Sequence, residues 1–515
     1  MSGHYHCRRA FSKVALLISL ALLSQAAYAA VRLVPRDYAT VQAAINAAAN
    51  GDVVIVSPGR YIGGISFKGK SIIVRSTAPN SVPVVTATIL DGNLVGRVVN
   101  FTNGETSAAV LSGFTITRGK AAKGAGIYAY GASPTISYCL ITGNRATGAG
   151  GGVYYAGGGS IIHNVIRNNT AGANGGGVNL EGYPPRLTQN VIQGNRAQSG
   201  AGIATNFANP LIADNVIMGN QAVHRGGGIL IMRNTANIVR NVIIRNSAPD
   251  GGAGLLVSLA TATAGSNTFS NNTLSAAILS QSTGSIVLKN SIVAFNPAGA
   301  VSLQDDGNAT IRYCDFYGNG ASQFSGTTDA VVGLRGNISA DPLFVNIANN
   351  DFHEKSWAGH YNLLTGTWVS DAVNSPCIDK GDPAGLYSLE PLPNGDRLNM
   401  GAYGNTAQAS KGSPPPAPGR LALQAVAAPL TNGGASVAVT LSTPAAVQLT
   451  VLNMAGQQIA AVPAQDLPSG LSNVLWSGRS SSGTRLPAGM FMLKLTACSK
   501  DGTTATALQS LYLKR

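Results

Sequence analysis

The chain has 515 residues, with 63 glycines, 11% charged residues and a formal net charge of +14 at pH 7. Its hydrophobic content of 45% excludes a disordered or acidic tail-like protein. Charged residues are scarce and glycine costs a helix about 1 kcal/mol per site. The composition therefore argues against a helix-rich protein and favours many short strands joined by tight turns.

Residues 1–29 predict a secretory signal, with a basic start, an apolar run at 14–23 and a small-residue cleavage site at 27–29. A membrane span needs about 20 apolar residues, and no stretch of the sequence reaches that length. We therefore expect an exported protein, secreted or at the cell surface, without a transmembrane segment.

The charge after removal of the signal is about +11, because three basic residues leave with it. Such a charge suits an acidic partner, such as a uronic-acid polysaccharide or an anionic cell surface, but dispersed charge also simply maintains solubility. No Lys/Arg run with interleaved aromatic residues occurs, so we expect no nucleic-acid partner.

A repeat of 25 or 26 residues organises the centre of the chain and continues more loosely through Asn290 and Cys314. One column of the repeat contains Cys139, Asn164, Asn190, Asn215, Asn241 and Asn267. A second column, five residues later, contains Asn144, Asn169, Asn195, Asn220, Asn246 and Asn272. Three apolar columns accompany them, so each unit predicts three short inward-pointing strands that form one coil of a solenoid.

Parallel stacking of the coils would place equivalent residues roughly 4.8 Å apart. The two asparagine columns can then hydrogen-bond amide to amide, and a buried amide needs such partners because an unpaired one costs about 1–3 kcal/mol. Cys139 and Cys314 share a column but lie about seven coils apart, much too far for a disulfide. We therefore expect separate buried thiols, and no Cys/His cluster predicts a zinc site.

The opening of the repeat region has a recognisable pattern in residues 38–46 (YATVQAAIN) and 51–61 (GDVVIVSPGRY). Together with the repeat, it resembles the right-handed parallel β-helix of the pectin lyase-like superfamily, over about residues 38–345. The first segment predicts an amphipathic helix with Val41, Ala44, Ile45 and Ala48 on one face. The resemblance implies that this helix caps the open end of the coils.

The rest of the chain divides into three further segments. Residues 346–410 follow the predicted β-helix, 30–345, and resemble the closing segment of secreted bacterial β-helix proteins. Residues 411–420 (KGSPPPAPGR) form a proline-rich linker. Residues 421–515 alternate apolar and polar and predict a β-sandwich. The fold class is therefore all-β, a right-handed parallel β-helix followed by a small β-sandwich.

Residues 451–457 (VLNMAGQ), 476–479 (WSGR) and 486–491 (LPAGMF) resemble the immunoglobulin-like module related to the flagellar hook-capping protein. Similar modules serve as sorting domains of secreted proteins, and the basic end at 513–515 suits that role. The resemblance implies a contact with secretion or surface-anchoring machinery; a passive spacer is the alternative.

Three carboxylates of the closing segment, Asp379, Asp382 and Asp396, are candidate Ca²⁺ ligands, since Ca²⁺ takes six to eight oxygen ligands. The alternative, which we favour, is that these side chains shape turns through hydrogen bonds to the backbone.

Enzymes of the resembled superfamily usually cut uronic-acid polysaccharides with a base and Ca²⁺, or with paired carboxylates. Residues 121–300 contain only three carboxylates, Glu181, Asp214 and Asp250, each at a different phase of the coil. One polar column contains His163, Asp214 and Arg240. These three residues and Glu181 are the catalytic candidates. The alternative, which we favour, is that the column is polar because it faces solvent.

A second face offers a better binding surface, because tyrosine rings stack on sugars and amides bind hydroxyl groups. The predicted binding residues are Tyr128, Tyr130, Tyr154, Asn179, Glu181 and Asn206. We therefore predict a surface or secreted protein that binds polysaccharide without cleaving it, with acidic polysaccharides among the candidate ligands. A lyase or glycoside hydrolase acting on acidic polysaccharide, and a structural stalk or adhesin, are the alternatives.

Overall fold

The computed structural model describes residues 29–320, 323–326, 331–412, 421–430 and 434–513. All but the last residue of the predicted signal, most of the predicted linker 411–420 and the basic end at 514–515 lie outside the described residues. The chain divides into two compact units. The first contains the described residues up to Lys411 except Asp371–Val373 and Leu392–Asp396, which are grouped with the second.

The first unit is a parallel β-solenoid whose coils stack in register along three long sheets. Sheet A consists of Val31–Val34, Val53–Val56, Ile73–Ser76, Val110–Ser112, Thr135–Ser137, Ser160–Ile162, Arg186–Thr188, Leu211–Ala213, Thr235–Val239, Thr261–Gly265, Ser285–Lys289 and Asn308–Arg312. Sheet B consists of Gly59–Ile62, Thr88–Asp91, Thr115–Thr117, Leu140–Thr142, Val165–Arg167, Val191–Gln193, Val216–Met218, Val242–Ile244, Thr268–Ser270, Ile292–Ala294 and Asp315–Tyr317. Sheet C consists of Ile65–Ser66, Val99–Phe101, Ile127–Tyr130, Val153–Ala156, Val178–Glu181, Ile203–Asn206, Ile229–Met232, Leu255–Ser258, Ile278–Gln281, Val301–Leu303 and Phe324–Ser325.

Five central coils contain a fourth strand of only two residues, which the predicted three-strand coil lacks. This sheet D lies between sheets B and C along the chain and consists of Lys120–Ala121, Arg145–Ala146, Thr170–Ala171, Arg196–Ala197 and Gln221–Ala222. Three of its inward alanines, Ala171, Ala197 and Ala222, pack together in a separate cluster with Ala201 and Ala248. The coil therefore has four sides in this region.

The inward columns explain why the sequence folds this way. Ile136, Ile161, Leu187, Ile212 and Ile238 pair in register along sheet A, and all five are fully buried. Like side chains therefore pack on like along the solenoid axis. This architecture confirms the predicted β-helix.

The asparagines form two continuous files at the corners between sheets. In the first file, the side-chain amide and the backbone N–H of Asn190 both donate to Oδ1 of Asn215, at 3.0 and 2.9 Å. Asn215 repeats this with Asn241, and its amide also donates to the carbonyl oxygens of Leu187 and Ala213. The second file behaves in the same way over Asn144, Asn169, Asn195, Asn220, Asn246, Asn272, Asn296 and Asn319. Each buried amide is thus satisfied by the next coil.

The sequence pattern predicted that the first file continues through Asn290. In the structure it continues through Ser291. The N–H of Asn267 donates to Oγ of Ser291 at 3.1 Å. Asn290 precedes the file and takes a left-handed conformation with φ of 52°. Cys139 and Cys314 lie in the same file and are buried free thiols, which confirms that they are not bonded to each other.

The N-terminal end of the solenoid carries the predicted helix. Helix α1, Val41–Ala47, begins after Thr40, whose hydroxyl accepts a hydrogen bond from the Ala43 N–H at 3.1 Å. Its buried residues Val41, Ala44 and Ile45 join the solenoid core. A second helix not predicted from the sequence, α2, spans Val82–Ala87 and lies beside sheet B.

The closing segment packs on the outer face of sheet B. Its short elements are the hairpin strands Phe344–Asn346 and Asp351–Glu354, the 3₁₀ helix Ile347–Asn349, and the paired strands His360–Asn362 and Thr367–Val369. Phe344, Phe352, Cys377 and Met400 form one buried cluster with the outward residues Val242, Ile244, Ile292 and Ala294 of sheet B. The segment therefore covers an apolar outer face that would otherwise be exposed.

The second unit is a two-sheet antiparallel sandwich. One sheet consists of Leu423–Pro429, Ala435–Leu441 and Gly470–Trp476, and the other of Gln458–Leu467, Ala445–Leu452, Gly489–Ser499 and Thr504–Leu513. Trp476 and Phe491 pack edge to face in its core, with ring centroids 6.2 Å apart. This observation confirms the predicted β-sandwich.

We expect Asn215→Ala to destabilise the solenoid by about 2–4 kcal/mol, because it leaves the Asn190 N–H and two carbonyl groups unsatisfied. Asn215→Ser should cost less, since Ser291 already fills one position of the same file. Chemical denaturation followed by circular dichroism would measure the differences, with Gln198→Ala, at an exposed loop position, as the control. Equal stability of Asn215→Ala and the control would contradict the role of the file.

Candidate functional site

The outer face of sheet C is largely covered by the glycine-rich loops that precede its strands. A Cβ on Gly150 would lie 2.7 Å from Cβ of Tyr154, and one on Gly175 would lie 2.8 Å from Cβ of Asn179. Tyr154 and Asn179 are accordingly only 1% and 4% exposed. The expectation that both residues lie on an open surface was wrong, because the glycines let the loops fold over them.

The buried tyrosine is also engaged by its neighbours. The Tyr154 hydroxyl donates to the Glu181 carboxylate and accepts from the Lys123 ammonium at 3.3 Å, while that ammonium also lies 4.8 Å from the ring centroid. Tyr128 stacks on Tyr154 at 5.2 Å, and the Arg97 guanidinium lies 3.8 Å from the centroid of Tyr128. These two rings therefore serve local packing more than they serve a ligand.

At the C-terminal ends of the sheet C strands the surface is open and forms a groove of about 400 Å³. Its exposed walls include Tyr130, Tyr183 and Phe207, with 58%, 55% and 59% of their surfaces exposed. Glu181 and Asn206 supply the polar groups, and the small side chain of Ala156 also lines the groove. We name this set the aromatic groove. It brings together Tyr130, Glu181 and Asn206 from the predicted binding residues.

Phe207 was missed by the sequence analysis, although a signal was present. The position that follows each sheet C strand is Gly131, Gly157 and Gly182 in the three preceding coils and Phe207 in the next. Phe207 takes the left-handed conformation of that corner, with φ of 55°. In the three following coils the same position is Arg233, Leu259 and Ser282, all with positive φ. A phenylalanine at this corner projects from the coil and remains exposed.

The chemistry of the aromatic groove suits recognition of a polyhydroxylated chain. Exposed ring faces pack against the C–H faces of sugars, while a carboxylate and an amide accept and donate hydrogen bonds to hydroxyls. Among the described residues, Glu181 is the only carboxylate that lines the groove.

The catalytic candidates do not form one constellation. Asp214 and Arg240 form a two-pronged ion pair, with Nε–Oδ1 and Nη2–Oδ2 distances of 2.6 and 2.9 Å. His163 stacks on Tyr138 at 4.9 Å and lines a separate cavity of about 250 Å³ beside α2. Glu181 lies on sheet C, away from all three. The structure thus brings together only Asp214 and Arg240, and each neutralises the other.

The calcium candidates are also distributed. Asp382 pairs with Lys289 of sheet A, and the hydrogen bond from that ammonium lowers the pKa of Asp382. The backbone N–H of Asp379 donates to Asn399, and Asp396 belongs to the stretches grouped with the second unit. Among the described residues, no group of three or more His, Cys, Asp or Glu side chains is arranged to hold a metal ion. The turn-shaping interpretation therefore fits Asp382, which caps its own turn through the Ala384 N–H.

The closing segment and the sheet B strand Asp315–Tyr317 instead contain buried acids that the sequence analysis did not single out. Glu354 is fully buried, and neither carboxyl oxygen has a hydrogen-bond partner among the residues described. Burial raises the pKa of Glu354 to about 8, that of Asp315 to about 7 and that of Glu390 to about 7. The Cys377 thiol donates to Asp315 at 3.4 Å. These groups lie in or beneath the closing segment, where it packs on sheet B.

Comparison with protein families agrees with this architecture. Residues 98–274 match the family model described as "Right handed beta helix region", and residues 425–501 match "FlgD Ig-like domain". Residues 311–381, which include the start of the closing segment, match "Disaggregatase related". No curated protein matches the sequence. The predicted combination of a β-helix with a hook-capping-type immunoglobulin-like domain is therefore confirmed.

No helix among the described residues has the length and apolarity needed to traverse a bilayer.

The buried acids predict that the closing segment loses stability as pH rises. Their pKa values are raised in the folded state from ordinary values of 3.8–4.5, so the folded form retains protons that the unfolded form releases. The stabilisation is complete below about pH 4 and declines up to about pH 8, by a few kcal/mol.

Hydrogen exchange of Asp351–Glu354 at pH 5 and pH 8, corrected for intrinsic rates, would measure this change in protection. Glu354→Gln should flatten the pH dependence because its amide does not ionise, while Asp371→Asn, which removes a carboxylate from a half-buried site, should not alter it. Greater protection at pH 8 than at pH 5 in the unmodified chain would refute the prediction.

Proposed function

We propose that this chain is a secreted or cell-surface β-helix protein that binds polysaccharide in the aromatic groove without cleaving it. The observation that carries the proposal is the convergence of three exposed aromatic rings, one carboxylate and one amide in a single open groove of about 400 Å³. Exposed aromatic residues of this size are costly in water unless a partner covers them.

The contacts of the acid and base candidates support binding without cleavage. The Glu181 carboxylate accepts from Tyr154, and Asp214 neutralises Arg240. A general base must reach a substrate proton, and a base in a two-pronged ion pair must first break that pair. We propose further that the C-terminal immunoglobulin-like domain serves attachment or sorting, which its family match supports only by analogy.

We expect Tyr130→Ala and Tyr183→Ala each to weaken polysaccharide binding about five- to tenfold, since a stacked ring contributes roughly 1 kcal/mol. Immobilised neutral and acidic polysaccharides, tested as a panel by biolayer interferometry with the full chain, provide the measurement. Tyr512→Ala, at a 53% exposed tyrosine of the C-terminal sandwich, is the matched control.

The same panel tests the alternatives. Release of unsaturated sugars or new reducing ends, abolished by Asp214→Asn, would show an enzyme and replace the binding proposal. Retention of no polysaccharide by the unmodified chain would favour a structural stalk or adhesin.

A further inference from the structure

The outer surface of sheet D carries cations without counter-ions. Its outward column reads Lys120, Arg145, Thr170, Arg196 and Gln221, and all five residues are exposed. Among the described residues, none of the three cations forms an ion pair with a carboxylate; Arg196 contacts only the Gln221 side chain. We name Lys120, Arg145 and Arg196 the basic strip.

The surrounding coils do not neutralise this charge. Between residues 95 and 213 there are eight Lys and Arg residues and two acids, Glu105 and Glu181. Glu105 is 1% exposed and accepts hydrogen bonds from the Gly69 and Asn103 N–H groups. Glu181 is engaged by Tyr154 on sheet C. Arg118 in turn pairs with Asp91, just outside this range, at 3.4 Å. With Asp91 counted, the local excess is five positive charges.

The geometry of the strip is regular and rigid. Lys120 and Arg145 are direct partners in adjacent parallel strands, so their Cα atoms lie about 4.8 Å apart. Lys120 and Arg196 are separated by three such steps, or roughly 14 Å. Like charges on paired positions of adjacent strands repel each other. An anion bound along the column would reduce this repulsion. The buried alanines beneath, such as Ala146 and Ala197, hold these short strands against the core.

We propose that the basic strip binds a linear acidic polysaccharide, with its carboxylate or sulfate groups along the solenoid axis. A coil step is comparable to the length of one sugar unit. Anionic groups on the first, second and fourth units of a bound chain would therefore meet Lys120, Arg145 and Arg196, with Thr170 opposite the third. The described strip residues include no aromatic side chain on which nucleic-acid bases stack, and no large apolar one that inserts into a lipid surface. These features favour a polysaccharide over the other polyanions.

This inference does not rest on the aromatic groove. The groove is formed at the end of sheet C by rings and hydrogen-bonding groups, whereas the strip acts through charge on sheet D. Binding of neutral polysaccharide tests the groove, and salt-sensitive binding of acidic polysaccharide tests the strip, so failure of one proposal leaves the other intact.

The test measures the affinity of the full chain for polygalacturonic acid at low and high salt, with neutral dextran as the reference polymer. The triple variant Lys120→Ala/Arg145→Ala/Arg196→Ala should bind polygalacturonic acid about tenfold more weakly at low salt. The difference should shrink at high salt, where exposed charges are screened. All three side chains are exposed, so the variant should fold normally, and circular dichroism would check this.

The matched control is Arg186→Ala/Arg312→Ala/Lys380→Ala, which removes two arginines and one lysine from exposed positions elsewhere on the first unit. Its affinity should change less than about twofold. An equal loss in both triple variants would show that only net charge matters and would overturn the proposal. Tighter binding to duplex DNA or to phosphatidylglycerol vesicles than to polygalacturonic acid would also overturn it.

Discussion

The length of the repeat determines the register of the solenoid, because it places each corner of a coil directly beside the equivalent corner of the next coil. At 25 or 26 residues per coil, each buried asparagine meets its equivalent and passes two hydrogen bonds along the file. A buried amide without a partner is strongly unfavourable, so a slip of one residue would break the whole file and not a single bond. The aliphatic columns tolerate small changes of shape, but the asparagines do not, and they therefore define the register.

Sequence reasoning predicted the interior well because interior positions obey this repeat. It failed where the repeat changes length. The step from Asn267 to Ser291 is 24 residues and the next, to Cys314, is 23, which is why Asn290 looked like a member of the file and is not. Sheet D was also missed, since a two-residue strand of one exposed and one small buried residue has no hydrophobic periodicity to detect.

The exterior was harder to predict, because exposure there depends on distant parts of the chain. Tyr154 alternates correctly for an outward position and is nevertheless buried by its own glycine loop. Ile244 and Ile292 point outward from sheet B and are buried by a segment about one hundred residues away. Their apolar character was visible in the sequence, but the repeat alone gives no reason for it. Only the closing segment explains these residues. Covering sheet B also has a cost, because it buries Glu354, whose carboxyl oxygens have no hydrogen-bond partner among the described residues.

These differences distinguish the surface positions, which the repeat does not constrain, from the interior positions, which it does. An interior column must repeat to remain stable, whereas an outward column is free to vary from coil to coil. Features such as the exposed ring of Phe207 at a corner of the coil, or Arg145 beside Lys120 without a carboxylate, are not required by the fold. Each also costs stability, through exposed apolar area in one case and charge repulsion in the other. Because the solenoid holds both features rigidly at a fixed spacing, a bound chain would offset these costs without reorganising the protein, and this makes the two surfaces suited to extended ligands.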